Sequence, residues 1–131
     1  MTGYLRRAAA QRFEYGTIDC ATFALAWLDL ALAKGGCTAW VGRYTDKKTC
    51  REYIARNGGM KAISRFFLKQ NYNLKKSSAQ IGNVVLVKVN KRAAFGIRVG
   101  DKNQIALRTE RGMLITKRAE VVFEWGVSCP L

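Results

Sequence analysis

The segment FEYGTIDCATFALAWLDLAL, residues 13–32, holds the residues of this chain best placed for covalent chemistry. Cys20 follows Asp19 at the start of an apolar-periodic run, where the free N–H groups and dipole of a helix N-terminus favour a thiolate. The surplus of lysine and arginine acts in the same direction, so the sequence predicts a lowered thiol pKa at Cys20. Acyl transfer also requires a positioned acid to protonate the leaving amine, a contribution of roughly 10²–10⁴-fold. The residue that most often does this is histidine, and the 131 residues contain none. Tyr15, Lys88 and Lys91 carry protons, but no spacing singles one out. Asp19 reads as the helix cap, a bond that conflicts with service as a base. Cys20 therefore reads as a packing thiol ahead of a catalytic nucleophile.

The other cysteines, Cys37, Cys50 and Cys129, form no Cys-x-x-Cys pair and have no histidine to complete a zinc site. They read as free thiols that pack like small apolar residues. No metal site and no cofactor motif is expected.

The formal charge is +14, with 12 basic against 5 acidic residues over 1–70 and 11 against 4 over 71–131. Each part carries +7, so there is no basic tail. Such a balance attracts acidic protein surfaces, nucleic acid or anionic membranes. No helix-turn-helix spacing, RNA-binding aromatic motif or zinc finger accompanies it. The runs DKK, LKK and NKR read as solvated turns, with the alternative that Lys75-Lys76 and Lys91-Arg92 lie near one another on the sheet side. Trp27, Trp40 and Trp125 read as core or interface aromatics, and Phe66-Phe67 as core. The apolar stretch 20–33 is broken by Asp29 and too short to span a bilayer, and no signal-peptide pattern opens the sequence. A cytoplasmically made protein without a membrane span is expected.

The elements that must position Cys20 are legible from periodicity. A short helix is expected within 1–13, with Leu5, Ala8, Ala9 and Phe13 close to one stripe. The strongest helix follows, capped by Asp19 or Thr17, with Phe23, Ala24, Trp27, Leu28, Ala31 and Leu32 at spacings of three and four and Gly35-Gly36 as its stop. Another runs from Asp46 or Thr49 to Asn57, where Thr49 and Glu52 have capping-box spacing. A further one places Met60, Ile63, Phe66 and Phe67 on one side. The period then changes to two over residues 83–89, 94–100, 104–109, 112–117 and 121–125, separated by tight turn signals that demand hairpins. The expectation is one α+β domain over 1–131, helices in about 1–72 and a five-stranded antiparallel sheet in about 82–126, the Cys20 helix packed on a meander of strands.

That order resembles the NlpC-type papain-like cysteine peptidases, small domains that cleave peptidoglycan. YGTIDCATFALAWL is similar to their Tyr-Gly-x-x-Asp-Cys-Ser-x-Phe segment through Tyr15, Gly16, Asp19, Cys20 and Phe23, with Thr22 near the hydroxyl position. GNVVLVKV resembles their Gly-Asp-Leu-Val strand and AFGIRVG their His-Val-Gly-Ile strand. A narrower likeness rests on Gly42, Arg43, Tyr44, Gly58, Gly59, Gly82, Val84 to Val87, Gly96, Ile97, Val99 and Gly100. It is to a small uncharacterised family encoded among the tail genes of long-tailed bacteriophages and gene-transfer particles, beside the tail hub proteins. By this resemblance the catalytic histidine falls at Ala94 and the Gly-Asp acid at Asn83, and the third polar triad member, expected near Ile105 to Arg108, has no equivalent.

The resemblance thus implies a papain-like frame that has lost its catalysis, Cys20 being a vestigial nucleophile. It implies a structural protein of a phage tail tip or baseplate, made in the host cytoplasm and carried in the virion tail, with hub proteins as partners. The charge implies acidic surfaces on those partners. Two other classes compete: a peptidoglycan hydrolase using Cys20 with a non-histidine base, and a basic nucleic-acid-binding factor.

Overall fold

The structure, a computed structural model, describes residues 1–127, and Cys129 lies outside the described residues. Helix α1 (Thr2–Ala10) ends before Phe13. Helix α2 (Cys20–Leu32) begins as its sequence requires: Asp19 accepts from the Thr22 amide and Thr22 Oγ1 accepts from the Asp19 amide, a closed capping box. Its stop comes earlier than Gly35-Gly36, because Ala33 turns left-handed (φ 53°) and the Lys34 amide folds back to the Asp29 carbonyl. Asp29 holds that turn, accepting from the Cys37 amide and the Tyr72 hydroxyl. A 3₁₀ turn (Gly36–Ala39) leads to α3 (Lys47–Arg56), where Asp46 caps and closes its box with Thr49; Thr49 is thus the inner partner, and the Thr49–Glu52 box does not form. Helix α4 (Met60–Tyr72) buries Ile63 and Phe67, four residues apart, and leaves Phe66 69% exposed. The core reading of Phe66 is therefore corrected: successive helical positions are rotated by about 100°, so only one of the pair faces inward.

The strands are β1 (Val84–Val89), β2 (Arg92–Gly100), β3 (Gln104–Thr109), β4 (Gly112–Thr116) and β5 (Glu120–Trp125), all antiparallel, in the order β4-β3-β2-β1-β5. Among the described residues this is an α+β fold of four α-helices and a five-stranded antiparallel sheet. It is not a simple meander. After β4 the chain crosses to the far side of β1, where Trp125 pairs opposite Val84 and a bulge between Leu86 and Val87 absorbs the change of register. The β1–β2 turn is the two residues Asn90 and Lys91, both left-handed (φ 50° and 66°), so β2 begins at Arg92, two residues before the expected start. Lys91-Arg92 and Lys75-Lys76 do not share a patch: Lys76 bridges to Trp125 beside Val84, whereas Arg92 pairs with Val89 at the opposite end of β1.

Alternation along the strands divides the apolar residues between two faces. Val84, Leu86, Phe95 and Trp125 join Leu25 and Leu28 of α2, Trp40, and Phe67, Leu68 and Tyr72 of α4 in the main core. Trp40 and Trp125 are core residues, as expected, and Trp27 is half-buried with its indole N–H donated to the Gly82 carbonyl at 2.8 Å. Beyond the sheet Val85, Val87, Ile105, Leu107 and Ala119 form a smaller cluster. Gly96 faces this cluster and has no room for a side chain: a Cβ there would lie 2.7 Å from the side chains of both Ile105 and Leu107. The same face carries a buried ion pair, Arg98 gripping Glu124 through two bonds of 2.9 and 2.7 Å.

Candidate functional site

An open cleft of about 790 Å³ runs between the start of α2, α3 and the β1–β2 and β3–β4 turns. Cys20, Asp19, Tyr15 and Ala94, singled out from sequence, all line it. Among the described residues Lys88, Lys91 and Asn83 do not.

Cys20 is the first residue of α2 and half-buried. Its pKa is not lowered, contrary to the helix-terminus argument. Burial, joined by the charge of Asp19, pushes it up to about 12, outweighing backbone hydrogen bonding from Phe95 and Ala21. Desolvation of a thiolate costs more here than the end of a helix returns. Cys50 lines the same cleft and is also raised, by burial and then by Asp19. Cys37, half-buried outside the cleft, is pushed up to about 11 by burial and the Asp29 charge. All three are free thiols, and Cys37 and Cys50 pack against the main core, as their packing-thiol reading required.

Asp19 is 2% exposed and accepts three hydrogen bonds: from the Thr22 amide (3.0 Å), the Gly16 amide (2.8 Å) and the Tyr44 hydroxyl (2.8 Å). The cap reading holds, and the carboxylate is engaged as an anchor. Tyr44 in turn accepts from Trp40 Nε1 at 3.0 Å, and burial and the nearby Asp19 charge raise its pKa far above the phenol range. Gly16 permits the arrangement, for at φ 88° a Cβ would sit 1.9 Å from the Tyr44 carbonyl oxygen. The Tyr15 hydroxyl donates to Glu110, and burial followed by that bond raises its pKa above its ordinary value. It is a poor acid, and its proton is already committed.

On β2, Ala94 lines the cleft and also packs against the cluster beyond the sheet. Ala93, which shares the strand parity of Phe95, lies on the α2 side of the sheet and lines the cleft too. Neither carries a proton acceptor. Asn83 is 1% exposed and wholly structural: it donates to the Ser78 carbonyl and Glu124 and accepts from the Val127 amide. Within the interval where a third polar member was sought, Arg108 is 5% exposed, with Nη1 donated to the Ala8 and Ala9 carbonyls at 2.7 and 3.4 Å. It ties the end of α1 to the sheet.

Sequence reasoning did not pick out Tyr44 as the partner of Asp19, nor Arg108 and Glu110 as cleft residues. Tyr44 was visible only as part of Gly-Arg-Tyr, and nothing in the spacing marks a contact across 25 positions. No helix among the described residues is long and apolar enough to cross a membrane.

The family model of a domain of unknown function, DUF6950, matches residues 1–127, and the chain belongs to that family. No curated protein and no solved structure matches it.

Proposed function

We propose that this member of the DUF6950 family is a non-catalytic structural protein of a bacteriophage tail tip or baseplate, built on a degenerate NlpC-like papain frame and docking on acidic hub proteins. The observation that carries the non-catalytic part is the state of Cys20: a thiol held protonated to about pH 12, in a cleft to which β2 contributes Arg92, Ala93 and Ala94, none of them a proton acceptor. The chain has no histidine, and the carboxylate beside the thiol is occupied by three donors. The helix-then-sheet order supports the papain-like reading, and the likeness to tail-gene products supports the setting. The charge of +14 supports an acidic partner.

The test has two parts. Purified protein incubated with peptidoglycan sacculi should release no new amino groups above the buffer level. Co-expression with the tail hub protein should yield a complex that loosens as salt rises. Amine release that disappears in Cys20→Ala would refute the structural reading in favour of a hydrolase.

A further inference from the structure

The cations that line the cleft come from four separate places. Lys47 and Arg51 lie one turn apart on α3, Arg92 opens β2, Arg108 lies on β3 and Arg111 in the turn after it. All but Arg108 are exposed. The facing acids are Asp19, buried under its three donors, and Glu110, which holds the Tyr15 hydroxyl. The floor between is apolar and aromatic, with Phe13, Ile54 and Met60 half-buried. Arg108, which lines both this cleft and a smaller cavity against α1, has a buried Nε with no hydrogen-bond partner among the described residues. A buried donor without an acceptor is costly, and Nε forms part of the guanidinium edge that grips a carboxylate bidentately. Nη1 is fixed on the α1 carbonyls, which leaves that edge as the one to be filled.

We propose that this cleft binds an acidic peptide segment, its carboxylates paired with Lys47, Arg51, Arg92 and Arg111, and one of them reaching Arg108 Nε by a small turn of the guanidinium about its Nη1 anchor. The proposal rests on the docking reading above and assigns it a surface. A peptide fits better than a nucleic acid. Trp40 and Tyr44 are buried, and Phe13 and Tyr15, half-buried and packed edge to face at 87°, do not form the row of parallel ring faces on which successive bases stack.

The experiment is fluorescence anisotropy with labelled hexaglutamate and, in parallel, a labelled single-stranded hexanucleotide, with the Arg108 Nε–H resonance followed by NMR. Hexaglutamate should bind more tightly than the oligonucleotide and shift that resonance. The rim variant R51E/R111E should weaken binding about tenfold or more. E110Q, which removes a like charge from the cleft, should tighten it about threefold, a gain that misfolding cannot imitate. Binding indifferent to both variants, or tighter binding of the oligonucleotide, would overturn the proposal; a resonance that stays in place at saturation would overturn the Arg108 contact. Rim variants that lose hexaglutamate support the site whatever the hub complex does. A hub complex unaffected by those variants would count against the tail-docking reading alone.

Discussion

The protonation state of Cys20 is the point at which two arguments of physical chemistry oppose each other, and the result is measurable. A helix N-terminus and a net charge of +14 act to lower the thiol pKa, while burial and the adjacent Asp19 raise it to about 12 from an ordinary 9.0. At pH 8 an ordinary thiol is about 10% thiolate and this one about 0.01%, so alkylation should be slower by about a thousandfold. Iodoacetamide labelling, resolved by peptide mass spectrometry, reports Cys20 separately from Cys37 and Cys50. The same peptide labelled in urea supplies the unfolded reference. In the native protein the Cys20 rate should climb through pH 10 without reaching a plateau, whereas the urea sample should level off above pH 9. Access alone slows labelling at every pH and leaves the midpoint in place, so the midpoint decides. A native midpoint below about pH 8 would refute the account of burial and restore a nucleophile. A linked consequence concerns stability: with the folded pKa above the unfolded one, the contribution is full below about pH 9 and is lost as pH rises toward about 12.

Three further outcomes follow from the packing. Glu124→Gln breaks a buried pair, leaves Arg98 uncompensated and should cost about 3–5 kcal/mol in urea unfolding. In the native protein burial acts to raise the Glu124 pKa, but the bonds from Arg98 and Asn83 win and hold it low, so the pair's stabilisation is full above the usual carboxylate range and fades as pH falls below about 4.5; an acid titration of stability that is the same in wild type and Glu124→Gln would contradict this. Tyr44→Phe removes a donor to Asp19 and the acceptor of Trp40 Nε1, and should lower stability by about 1–3 kcal/mol. Phe66→Ser should fall within about 0.5 kcal/mol of wild type while Phe67→Ala costs about 3–5 kcal/mol, a contrast that thermal melts resolve and that equal losses would refute.

Much of the fold was legible because its signals are local. The apolar spacing of α2, the Asp19 cap and the change of period at residue 83 are properties of neighbouring residues, and the structure keeps them. The route of β5 was not legible. Hairpin spacing predicts that each strand pairs with the next, but the pairing of β5 with β1 depends on a crossover that no turn residue encodes. The site was half legible. Type and position picked out Cys20 and Asp19, but the pKa of the thiol depends on burial supplied by other elements, so the local argument gave the opposite direction. The cations of the cleft illustrate the same limit. They lie far apart in the chain, in an α3 pair and a β2–β4 group more than 40 residues later, and folding alone brings Lys47, Arg51, Arg92, Arg108 and Arg111 around one cavity.

The most direct test of a non-catalytic tail protein is genetic. A particle deleted for this gene is complemented with wild type or Cys20→Ala, infectious particles are counted and tails are viewed by electron microscopy. The account predicts normal titre and normal tails from Cys20→Ala, as expected of a thiol that stays protonated and takes no part in chemistry. Intact tails with lost infectivity would contradict it and identify Cys20 as a working nucleophile.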